Sequence, residues 1–131
     1  MRTVCSFLVA CVLVSVFSQP AAAVLAFYKV WETEYLTNHP DQEYAKLVKK
    51  PANRCFVCHV GKNRKHRNEY GALMEGDLDP RKDVKDKDKI LAAIKKAGEG
   101  KFDDSTTFAQ RIEASKFPAG ELEDLKKEPA K

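Results

Sequence analysis

The chain has 131 residues, four cysteines and a formal charge of +4, a length that suits one domain. So small a positive excess does not imply strong attraction to nucleic acid or to a membrane surface. After Arg2 comes an uncharged run from Thr3 to Tyr28, with Phe7 to Phe17 as its apolar centre. Ser18-Gln19-Pro20 breaks a helix, and Ala21-Ala22-Ala23 offers a small-residue cleavage pattern. Residues 1–23 therefore read as a secretory signal peptide cut after Ala23. The same run is long enough for an uncleaved anchor, which takes roughly 20 apolar residues, but Pro20 and the alanines favour cleavage. Leu8-Val9-Ala10-Cys11 has the look of a lipidation box, although the apolar run before it is too short. Cleavage removes Cys5 and Cys11 and lowers the charge to +3, leaving Cys55 and Cys58 as the only thiols.

Phe27, Trp31 and Tyr35 recur every four residues, flanked by Tyr28 and Leu36, and predict a first helix ending near Thr37. Asn38-His39-Pro40 is a turn, with Pro40 suited to the first position of a second helix. That helix would bury Tyr44, Leu47 and Val48 and end at Pro51. A short helix is expected over Asn53 to Val60, stopping at Gly61, followed by a basic loop from Lys62 to Arg67. Asn68 can cap a turn of helix through Tyr70 to Met74, and Gly76 to Pro80 is a loop. Ile90, Leu91, Ile94 and Ala97 mark the clearest helix, which ends at Gly98 and Gly100. Thr107-Phe108-Ala109-Gln110 fits a capping box, with Phe108 and Ile112 facing inward. The last helix ends at Phe117-Pro118-Ala119-Gly120, and the charged tail, 121–131, is expected to fray. No run of β-branched residues alternates with polar ones, so no strand is expected.

Cys55-Phe56-Val57-Cys58-His59 fits the attachment motif for a c-type haem. Two thiols three residues apart on a helical turn reach two vinyl groups on neighbouring pyrroles, and the next histidine aims at the iron. Cys55 and Cys58 would be the covalent tethers of one haem c, and His59 the axial ligand. Three other uses of the pair compete. A disulfide would close a very small loop and stabilise little. A thioredoxin-like site needs a strand-helix context that this chain lacks. A zinc site needs four ligands, which both cysteines and two histidines could supply. The mature chain is thin in apolar residues, and a buried macrocycle would enlarge its core. Lys62, Arg64, Lys65, His66 and Arg67 could rim an exposed haem edge and steer an acidic redox partner, or simply be solvated. Asp77, Asp79 and Asp83 alternate, but the EF-hand pattern fails: its glycine is missing and Arg81 stands where a ligand should be.

With these residues in view, the chain resembles a family of small bacterial single-haem cytochrome-c-like proteins. Three blocks carry the resemblance: Cys55 to Lys62, Arg67-Asn68-Glu69-Tyr70-Gly71, and Thr107-Phe108 with Ile112 and Lys116 to Gly120. The resemblance implies haem c, export to the periplasm and an all-α, cytochrome c-like domain over 24–120. In that fold an N-terminal helix crosses a C-terminal one, with haem between. The chain departs from well-known electron carriers: no Gly-Pro pair follows His59, and the only methionine past the signal segment is Met74. The sixth iron ligand therefore has four candidates: Met74, His39, His66, or no strong protein ligand at all. A six-coordinate iron suits a one-electron carrier; an open one suits a gas- or peroxide-binding module. No acid-base constellation accompanies the motif, so the expectation is a carrier rather than an enzyme.

Overall fold

The computed structural model describes residues 21–129, with side chains from Leu25 onward. Residues 1–20, which hold most of the signal segment with Cys5 and Cys11, lie outside the described residues. The chain is mostly α-helical. Among the described residues there are six α-helices: α1 (Ala21–Tyr35), α2 (Gln42–Lys49), α3 (Glu69–Leu73), α4 (Lys87–Glu99), α5 (Phe108–Glu113) and α6 (Leu122–Leu125). No helix is long and apolar enough to cross a membrane, among the residues described.

The expectation of no strand is corrected. His59–Val60 (β1) and Arg67 with His66 (β2) pair antiparallel, with His59 opposite Arg67 and Val60 opposite His66. Each strand is two residues long, too short for any alternation of burial to mark it in the sequence. The basic loop is thus the tip of a small hairpin. Gly61 makes the turn possible with a φ of +85°, a conformation that disfavours side chains.

Helix α4 is the hub, packing against α1, α3 and α5. Ile90, Ala93, Ile94 and Ala97 form its buried stripe, and Leu91 lies half-buried beside it. The aromatic face of α1 meets this stripe through Trp31, which is 1% exposed, with Tyr28 stacked on it at 6.0 Å and Tyr35 tilted against it at 5.4 Å between ring centroids. Lys95 reaches Glu34 at 3.2 Å across the same contact. The N-terminal helix therefore packs chiefly on α4.

Local chemistry explains the remaining boundaries. Asp41, not Pro40, starts α2: its Oδ1 accepts the Tyr44 amide at 2.9 Å, relieving an orphan helix donor. Ala45 takes the buried place expected of Leu47, which is 38% exposed at the edge of the Tyr44–Val48 stripe. Both halves of the Thr107–Gln110 capping box are present, and Phe108 and Ile112 are buried as the pattern requires. The expected fraying tail is corrected as well. Leu122 and Leu125 form an apolar pair within the charged stretch; Leu125 is buried, and its carbonyl accepts the Gly61 amide at 2.8 Å.

Candidate functional site

The motif begins where α2 is tied off. Asn53, buried, donates its side-chain amide to the Leu47 carbonyl at 2.8 Å. Arg54–Val57 then winds as a 3-10 helix rather than the α-helix expected over 53–60. A 3-10 helix has about three residues per turn, so positions three apart eclipse. Cys55 and Cys58 therefore share one side, and the Cys58 amide closes on the Cys55 carbonyl at 3.2 Å. Phe56 and Val57 between them are buried anchors, whereas both thiols are free and half-buried.

His59 opens β1. Its Nδ1 lies 3.2 Å from the His66 carbonyl on the paired strand. An oxygen acceptor there requires Nδ1 to carry the proton, which leaves Nε2 with a lone pair. Burial is the main cause lowering the His59 pKa; backbone bonds with His66 and Arg64 oppose it, and the charges of Arg67 and Arg64 add to it. The neutral ring is the form that ligates a metal.

One buried side chain holds this segment together. Asn68, 6% exposed, accepts the Gly71 amide on Oδ1 at 2.9 Å and so caps α3. Its Nδ2 donates to the carbonyls of Phe56 at 3.0 Å and Val57 at 3.1 Å, with His59 O at 3.4 Å. Its backbone amide donates to the Cys58 carbonyl at 3.0 Å. Gly71 completes the contact: a Cβ there would collide with the Cys58 carbonyl. Sequence reasoning saw Asn68 as a cap and missed its grip on the cysteine motif. The available signal was the Arg67-Asn68-Glu69-Tyr70-Gly71 block, whose residues turn out to touch the Cys55 block.

The remaining candidates separate. His39 is buried with both ring nitrogens engaged, Nε2 with Ile112 O at 2.9 Å and Nδ1 with the Asp41 amide at 3.1 Å. Those bonds tie the α1–α2 turn to α5. Met74 is buried in the core at the C-terminal end of α3. His66 is exposed on β2, opposite Val60.

The zinc alternative for the cysteines finds little support. Burial pushes the Cys58 thiol up to about 12. Among the described residues no three His, Cys, Asp or Glu side chains converge on a metal position, whereas a structural zinc site takes four donors. Asp77, Asp79 and Asp83 are each met by a lysine, at 2.9, 3.7 and 2.7 Å from Lys96, Lys82 and Lys89. The groove beside them, about 570 Å³, and a second between α1 and the start of α4, about 620 Å³, are not lined by Cys55, Cys58 or His59. The donor set, two thiols on one side of a turn and a following imidazole with Nε2 available, fits covalent haem. No family model matches the chain, and neither curated proteins nor solved structures give a match.

Proposed function

We propose that the protein is an exported, periplasmic c-type cytochrome carrying one haem c and acting as a one-electron carrier, not an enzyme. The observation that carries this reading is the geometry of Cys55, Cys58 and His59. The 3-10 turn sets the thiols on one side, and the His66 carbonyl holds the imidazole by Nδ1 so that Nε2 is available. Cys55 and Cys58 would hold the porphyrin as thioethers, and His59 Nε2 would ligate the iron. When bound, the haem supplies a site that gains and loses one electron. The chain's own part is to keep the imidazole neutral and oriented and to keep water away with Phe56 and Val57, both buried.

Lys62, Arg64, Lys65 and Arg67 stand exposed on the hairpin directly after His59. Only Arg67 has an ion-pair partner among the described residues, Glu75 at 3.8 Å. Such a surface suits an acidic redox protein as partner. Membrane association would require the 1–23 segment to stay uncleaved, and nucleic acid is not among the proposed partners.

The engagement of His39 keeps a second reading in play. With both its nitrogens bonded to the backbone, Met74 is the buried candidate for the sixth position, and without it the iron is open. An open iron makes the protein a gas- or peroxide-binding module. Two measurements test both readings on protein matured in a host that attaches haem c. A denatured band should stain for haem, and an unstained band overturns the cytochrome reading. Carbon monoxide added to the reduced protein should leave the Soret band largely in place; a fast, complete shift replaces the carrier by the binding module.

A further inference from the structure

Resting on the haem reading above, we propose that Asn68 is the positioning residue for His59, acting through the backbone of the hairpin rather than by touching the ring. Capping α3 requires only an acceptor, and Asp, Ser or Thr would serve as well. The amide half of the side chain is surplus to that task, yet it is buried and aimed at the carbonyls of Phe56, Val57 and His59. Those oxygens accept only, so the Nδ2 end must face them and Oδ1 must face the Gly71 amide; the flipped arrangement would set oxygen against oxygen. The amide thus gathers the carbonyl oxygens of the cysteine turn at one point.

The Asn68 backbone does the second part. Its N–H to Cys58 O, at 3.0 Å, closes the base of the β1–β2 pair. The register that follows, His59 opposite Arg67, brings the His66 carbonyl to 3.2 Å from His59 Nδ1. Gly71 prevents slippage, because its α-carbon lies against the Cys58 carbonyl with no space for a Cβ. His66 contributes a backbone oxygen, and Asn68 is the side chain that keeps that oxygen in place. A carbonyl on Nδ1–H raises the basicity of a ligating imidazole, which favours the ferric state and lowers the potential. Loosening it should raise the potential.

The test uses the full-length chain matured with haem attached. Asn68→Ser keeps a neutral capping acceptor and removes the amide donors; Asn68→Ala removes both. Ile94→Val, a core trimming on α4, controls for lost stability alone. Haem staining of the denatured wild-type comes first, since an unstained band there defeats the haem reading itself. With staining established, Asn68→Ser and Asn68→Ala should shift the midpoint potential upward, while Ile94→Val should not. An unshifted potential in a stained Asn68 variant overturns the proposal, as does an equal shift in Ile94→Val. Should neither Asn68 variant accumulate, the wild-type holoprotein decides. The His59 Nδ1 proton should appear by NMR as a slowly exchanging resonance, and rapid exchange with solvent overturns the proposal.

Discussion

The segment from Asn53 to Met74 and the α1–α4–α5 scaffold are held by different forces. In the scaffold, Trp31, Ile90, Ile94, Phe108 and Ile112 are almost fully removed from water, and area buried sets the strength of the contact. In the cysteine segment, the shape is set by directional bonds from Asn53 and Asn68 to backbone carbonyls. Each such bond contributes only about 1 kcal/mol net. It fixes angles and distances far more tightly than apolar contact does, because hydrogen bonds weaken steeply away from linearity. A scaffold can tolerate a shifted side chain. A site that must aim an imidazole cannot.

Substitutions on either side of that divide should behave differently. The largest loss is expected from Trp31→Ala in the scaffold, about 3–5 kcal/mol for an emptied aromatic site. A thermal melt should show the fall, while haem staining of the surviving protein should persist, because the bonds from Asn53 and Asn68 that shape the cysteine turn do not use Trp31. Loss of staining in folded Trp31→Ala would merge the two regions into one unit. Gly71→Ala should cost less in stability, about 1–3 kcal/mol as an overpacked contact. It should also reduce the fraction of chains that stain, since the new methyl pushes on the Cys58 carbonyl. A fully stained Gly71→Ala protein would show that the segment is looser than its bonds suggest.

The smallest effect belongs to the acidic loop, which lies outside both regions. Asp83 accepts from Lys89 and from the Asp79 amide, both at 2.7 Å, and these bonds, Lys89 first, hold its carboxyl below the usual carboxylate range. A depressed folded pKa adds stability above the unfolded pKa, and that stability is lost as pH falls through the folded value. Urea midpoints measured against pH should therefore fall more steeply below about pH 4 in the wild type than in Asp83→Asn. Asp83→Asn should be the less stable of the two near pH 7, and the curves should converge in acid. Parallel curves would remove the loop's ion pair from the account.

Much of the scaffold was legible because helices advertise themselves by period. The four-residue recurrence of Phe27, Trp31 and Tyr35, the stripe on α4 and the Thr107–Gln110 box all correspond to structure seen. Leu47 misled because a hydrophobic residue beside a stripe is read as part of it, while the smaller Ala45 was the one buried. The tail misled because its mean composition hid one apolar pair. Arg111 shows the opposite limit. No periodic pattern marks it, yet it is buried, donating to Phe117 O at 3.0 Å and lying 3.9 Å from the Phe102 ring centre. These contacts anchor the Phe117-Pro118-Ala119-Gly120 turn, so a guanidinium, not helix propensity, holds the third block.

The sequence by itself determined the identity and spacing of Cys55, Cys58 and His59, the helical character of the chain and the aromatic face of α1. All of these depend on residues close together along the chain, where chemistry and periodicity act locally. The fold alone decided that β1 and β2 pair, that the His66 carbonyl meets His59 Nδ1, that His39 is engaged by Ile112, and that one amide at Asn68 gathers the cysteine turn. Backbone carbonyls carry no residue label, so bonds made to them leave no mark in the sequence until the folded chain brings donor and acceptor together.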